Sequence, residues 1–84
     1  MWPEISIVKS ENRRELVLNG EKFTELLEKN GKKLDESLFE LQLLNFLQLT
    51  NSHEFQKISD EIHKLENLQS LLLFGNSLTL LPSK

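Results

Sequence analysis

His53 and His63 are the only histidines of the chain, and no third ligand stands near them at metal spacing. They read as ordinary surface side chains, not as a zinc site or a catalytic base. The basic stretch Gly31-Lys32-Lys33 has some likeness to a phosphate loop. However, Leu26 stands where the first glycine of such a loop belongs, and Lys33 replaces its Ser or Thr. A basic turn is the better reading. The acid pairs Asp35-Glu36 and Asp60-Glu61 are adjacent in sequence, so their carboxylates point in different directions and suit solvated helix starts rather than a dyad. Cysteine is absent, which removes thiolate metal sites, cysteine nucleophiles and disulfides together. No nucleophile, base and orienting group come together, so no enzyme activity, cofactor or metal is expected.

Without a reactive centre, the arrangement of apolar residues carries the information. Eighty-four residues with 38% apolar content suit one small unit. No run reaches the ~20 apolar residues of a membrane span, and Met1-Trp2-Pro3-Glu4 does not open a signal peptide, so a cytoplasmic chain is expected. Residues 1–33 hold seven basic and six acidic side chains, whereas 34–84 hold three and seven. That balance weakens a nucleic-acid role, because nonspecific affinity rests on cations displacing counterions from phosphates.

Leu68, Leu71, Leu73, Asn76 and Leu78, followed by Leu81-Pro82, fill every fixed position of the pattern L-x-x-L-x-L-x-x-N-x-L with its L-P tail. Upstream, Leu44, Leu47 and Leu49 repeat the opening at the same internal spacing, with Ser52 in place of the asparagine. A fainter echo, Leu16 and Leu18, precedes Leu47 and Leu49 by a somewhat longer step and lacks the first leucine. Leu71 and Leu73 are two apart and therefore point to one side of a short strand, with Leu68 turning in beside them. Asn76 follows, placed to bond the backbone of the turn and of the adjacent unit. Phe23, Leu26 and Leu27 predict an amphipathic helix from Gly20 to Asn30, stopped by Gly31 in the left-handed conformation. Leu34, Leu38 and Leu41 predict a second short helix, with Asp35, Glu36 and Ser37 at its start.

On these motifs the chain resembles the leucine-rich repeat family. Trp2-Pro3-Glu4, Arg13-Arg14-Glu15-Leu16 and Leu38-Phe39-Glu40-Leu41 extend the likeness over nearly all of it. The resemblance implies an α/β solenoid fragment, with short parallel strands on a concave side and helices or irregular segments on the convex side. Residues 1–84 would hold an N-terminal cap and the first repeats: an irregular unit at about 13–41, a repeat at about 44–67 and another at about 68–84. The short fragments further resemble one member of that family, which implies a longer protein, ending in a region similar to the tRNA-interacting part of the phenylalanyl-tRNA synthetase beta subunit, none of which lies in these residues. Departures from the pattern are Ser52, an extra residue around Asn51 to Glu54, and the missing leucine before Arg13.

With Leu71 and Leu73 inward, Ser70, Leu72 and Phe74 face outward, and the same register sets Phe46, Gln48 and Thr50, and Glu15, Val17 and Asn19, beside them. Phe46, Leu72 and Phe74 are then the anchors expected for a protein partner. The alternatives are an RNA-related accessory role, with Arg13, Arg14, Lys32 and Lys33 as phosphate contacts, and a purely structural cap. Leu78, Leu80, Leu81 and Pro82 would form an open C-terminal end prone to self-association. At the other end, Trp2, Ile5, Ile7 and Val8 are expected as a mixed segment along the edge of the first strand, a place that suits Pro3.

Overall fold

The computed structural model describes residues 1–79. Three parallel strands, β1 (Glu15–Asn19), β2 (Phe46–Thr50) and β3 (Ser70–Leu72), form an open sheet in sequential order. Two α-helices, α1 (Pro3–Ser10) and α2 (Gly20–Lys29), and two 3-10 turns (Glu36–Glu40 and Asp60–Lys64) complete it. The register pairs Leu16 with Leu47 and Leu18 with Leu49, then Leu47 with Leu71. The leucine pairs of β1 and β2 thus lie directly opposite each other, and Leu71 continues the row onto β3, which ends before Leu73.

Strand parity sorts the side chains. Leu16, Leu18, Leu47 and Leu49 are buried on one face, where Phe23 and Leu27 of α2, Leu38 and Phe39, Phe55, Ile58 and Ile62 meet them in one cluster. The rings of Phe23 and Phe55 meet edge to face, centroids 5.3 Å apart and planes at 62°. Among the described residues no helix covers the opposite face of the sheet, where Glu15 and Val17 are exposed.

The two connections are built alike. Asp35 caps the first 3-10 turn by accepting from the Ser37 backbone, and Ser59 caps the second by accepting from Glu61. Backbone bonds of Leu41 to Leu38 and Leu44 to Leu41 recur as Leu65 to Ile62 and Leu68 to Leu65. The Arg14 carbonyl accepts from Asn45 and Phe46 where β2 begins, and the Asn45 carbonyl accepts from Gln69 and Ser70 where β3 begins.

Three expectations need correction. The segment before β1 lies against that edge strand as expected, but as a helix: Pro3 occupies its first turn, where its missing N–H costs nothing, rather than a strand edge, and Trp2, Ile5 and Val8 share the buried side. The stretch around Leu38 closes as a 3-10 turn, because only the short run Glu36–Glu40 separates its cap from Leu41. Leu71, expected in the core, is 40% exposed, and Leu68 and Leu73 are only partly buried. Leu71 lies on the outermost strand, with Leu68 and Leu73 just before and after it, and no strand covers β3 among the described residues. Leu80, Leu81 and Pro82 lie outside those residues.

Asp35 also fastens the N-terminal helix. Its Oδ2 accepts from the Trp2 N–H at 2.6 Å and lies 3.7 Å from the Met1 ammonium, while Oδ1 accepts from the Ser37 N–H and hydroxyl. Burial alone would raise the carboxyl. The bonds from Ser37 and Trp2, with the nearby ammonium, outweigh burial and hold it below the usual aspartate value. Ionised Asp35 therefore stabilises the fold above the unfolded-state value, and that contribution is lost as pH falls through the lower folded value. Thermal unfolding of wild type and Asp35→Asn, followed from neutral pH into the acid range, should show a steep acid limb for the wild type and a shallower one for the variant. Parallel curves would mean that Asp35 is not a determinant of acid stability.

Candidate binding face

The uncovered face carries Glu15, Phe46 and Ser70 in one row and Val17, Gln48 and Leu72 in the next. Asn19 and Thr50 follow as a paired row at the strand ends. Val17 is 49% exposed, and Phe46, Gln48 and Leu72 are half-buried. Phe74 is 59% exposed, but it stands in the turn after β3 and not on the strand itself. Its carbonyl accepts from the Asn51 N–H, and the next residue, Gly75, has φ +75°. A Cβ on Gly75 would meet the end of the Asn51 side chain, which would have to shift, and the positive φ itself favours glycine in the turn that presents Phe74.

Thr50, expected on the exposed face, is fully buried. Its hydroxyl donates to Asn19 Oδ1 at 2.8 Å and accepts from Gln48 Nε2 at 3.2 Å, and Asn51 Nδ2 donates to the same Asn19 oxygen at 2.7 Å. Thr50 belongs to a polar clasp at the strand ends rather than to a contact surface. Val17, left out of the anchor set, is more exposed than Leu72 or Phe46. Alternation places it on this face, as expected, and its exposure adds it to the apolar group there.

Asn76 ties the turn after β3 to the end of β2. Its Nδ2 donates to the carbonyls of Leu49 at 2.7 Å and Leu73 at 2.9 Å, and its Oδ1 accepts from the Ser52 N–H at 3.0 Å. Ser52, with a shorter side chain, turns the other way. Its hydroxyl shares a 2.7 Å hydrogen bond with Thr24 of α2 and accepts from the Glu54 N–H.

Of the basic residues, Arg13 is held by Glu11, with NH2 to Oε1 at 2.6 Å, and Lys32 by Glu54 at 3.3 Å. No shared acidic partner among the described residues draws Arg13 and Arg14 together with Lys32 and Lys33. Arg13 and Arg14 both border an open groove of about 650 Å³ between α1 and β1, together with Glu4, Ile7, Val8, Glu15 and Val17. Glu4 there bonds Lys22 at 3.1 Å through Oε2, whereas its buried Oε1 has no hydrogen-bond partner. His53 lies 3.4 Å from Glu54, in an exposed position. Among the described residues, no three His, Asp or Glu side chains gather closely enough to hold a metal, and no helix is long and apolar enough to cross a membrane. No protein-family model matches the chain.

Proposed function

We propose that the chain is part of a leucine-rich repeat array and works as a noncatalytic cytoplasmic module that binds a protein through its concave strand face. The repeat reading draws support from the recurrence of caps, backbone bonds and strand register between the two connections, and from the bridging asparagine at its fixed place in the pattern. The observation that carries the binding role is the apolar group on the uncovered face: exposed Val17 and Phe74 with half-buried Phe46 and Leu72. Such groups are where partners anchor when aromatics take part. The polar neighbours Glu15, Gln48 and Ser70 supply a rim. Exposed Leu71 on the outer strand is the feature that favours association at the open end, with a second copy or with further units.

Leu72→Asp/Phe74→Ser tests the proposal. Both side chains lie outside the buried cluster, so circular dichroism should show wild-type structure. Capture of a partner from cytosolic extract should fall at least about tenfold, the loss expected when two anchors are removed. Undiminished capture by the folded variant would overturn the face as the binding site.

A further inference from the structure

The chain contains two Asn-Gly pairs, Asn19-Gly20 and Asn30-Gly31, at the two ends of α2. In an Asn-Gly pair the glycine nitrogen can attack the asparagine carboxamide carbon, because no side chain hinders its approach. Whether it does so depends on what holds the amide and what occupies the attacking nitrogen. At Asn19 the side-chain oxygen accepts from Thr50 and Asn51 at 2.8 and 2.7 Å, so the carboxamide is held by two donors, one of them fully buried.

Asn30 is held far less. It is exposed, and its carboxamide makes one bond, from Nδ2 to the Lys33 carbonyl, across a turn of the same segment. The helix ends in a left-handed cap with Gly31 at φ +67°. Only the Lys32 N–H closes this cap, donating to Leu27 at 2.7 Å; the second bond of the motif, from the Gly31 N–H, is not made. The attacking nitrogen is thus uncommitted; nothing lies within 4 Å of the position a Cβ would take on Gly31 or on Gly20, so the two sites differ in what holds their carboxamides.

From this contrast we infer that Asn30 is a site of spontaneous modification, in which Asn30-Gly31 cyclises and opens to aspartate and isoaspartate while Asn19-Gly20 is protected. The Gly31 nitrogen bonds to Asn30 Cγ, the Cγ–Nδ2 bond breaks, and Nδ2 leaves as ammonia with the proton from the Gly31 amide. Water then opens the five-membered imide at either carbonyl. Aspartate forms when the original backbone carbonyl is kept in the chain, and isoaspartate when the side-chain carbon becomes the backbone. Both products place a carboxylate beside Lys32 and Lys33 and remove the Nδ2 bond to Lys33. The basic turn then loses one of its two net positive charges.

The test is peptide mapping by mass spectrometry of the intact folded chain, incubated at neutral and mildly alkaline pH, with a synthetic Leu27–Leu34 peptide alongside as the unconstrained reference. Amide loss is expected at Asn30, roughly tenfold or more faster than at Asn19, whose two bonds must break first. Ion exchange should resolve a growing acidic species that Asn30→Gln does not form. The inference is overturned by equal rates at the two sites, by faster loss at Asn19, or by an Asn30 that stays intact while the reference peptide converts.

Discussion

Asn76→Ala should destabilise the fold by about 3 kcal/mol or more, since it strands three polar groups at once. The Leu49 and Leu73 carbonyls lose their donor and the Ser52 N–H loses its acceptor, in a region where Ser52 is buried and Asn76 itself is half-buried. Each unsatisfied group costs about 1 to 3 kcal/mol, discounted where water can reach it. Asn76→Asp separates the two roles: it keeps an acceptor for Ser52 but sets a carboxylate against two carbonyl oxygens, so it should be no better than alanine. Urea denaturation measures the loss, and amide exchange at Ser52 should rise in both variants as the turn after β2 opens. A loss below about 1 kcal/mol would show that water replaces the asparagine and that its bridging has little weight.

Phe23→Ala should cost about 3 to 5 kcal/mol, the usual range for removing a buried phenylalanine. The ring is fully buried and meets Phe55 edge to face at 5.3 Å, joining α2 to the loop that follows β2. A domain of this size has roughly 4 to 12 kcal/mol in all, so the alanine variant should sit close to the unfolding threshold. Phe23→Leu, nearer in volume, should retain the fold with a smaller loss, and it allows the ring pair to be isolated. Combined with Phe55→Leu in a double-mutant cycle, it should report a coupling of about 0.5 to 1.5 kcal/mol. Strict additivity would mean that the rings act as bulk and not as an oriented pair.

Local patterning carried much of the architecture. The leucine pairs Leu16/Leu18, Leu47/Leu49 and Leu71/Leu73 are sufficient to place three parallel strands and their register, and Gly31 marks the end of α2 without reference to anything distant. Helix α1 was also written in the chain, since Trp2, Ile5 and Val8 recur at every third position. Exposed Ile7 and Pro3 blurred the pattern and suggested an edge. Thr50 shows what parity cannot supply: alternation aims it outward correctly, yet Asn19 and Gln48 close over its hydroxyl, an arrangement fixed partly by a side chain from a different strand. Leu71 errs in the opposite sense, because inward direction secures burial only where a neighbouring strand exists. The Asp35 link to Trp2 joins distant parts of the chain and has no local signature at all. Within the candidate face, Leu72 and Phe46 were legible from alternation, whereas the exposure of Phe74 depends on the Gly75 turn.

The unequal connections bear on how this chain tolerates changes in length. The path from Leu16 to its partner Leu47 is longer than the path from Leu47 to its partner Leu71, yet both pairs lie side by side in the same sheet. Closing a loop costs entropy only as the logarithm of its length, so the additional residues add roughly a few tenths of a kcal/mol at most. The longer connection uses them to form α2, whose buried Phe23 and Leu27 repay more than that cost. Insertions on the side of the connections are therefore thermodynamically inexpensive, while a single residue added within a strand would exchange its core-facing and solvent-facing side chains.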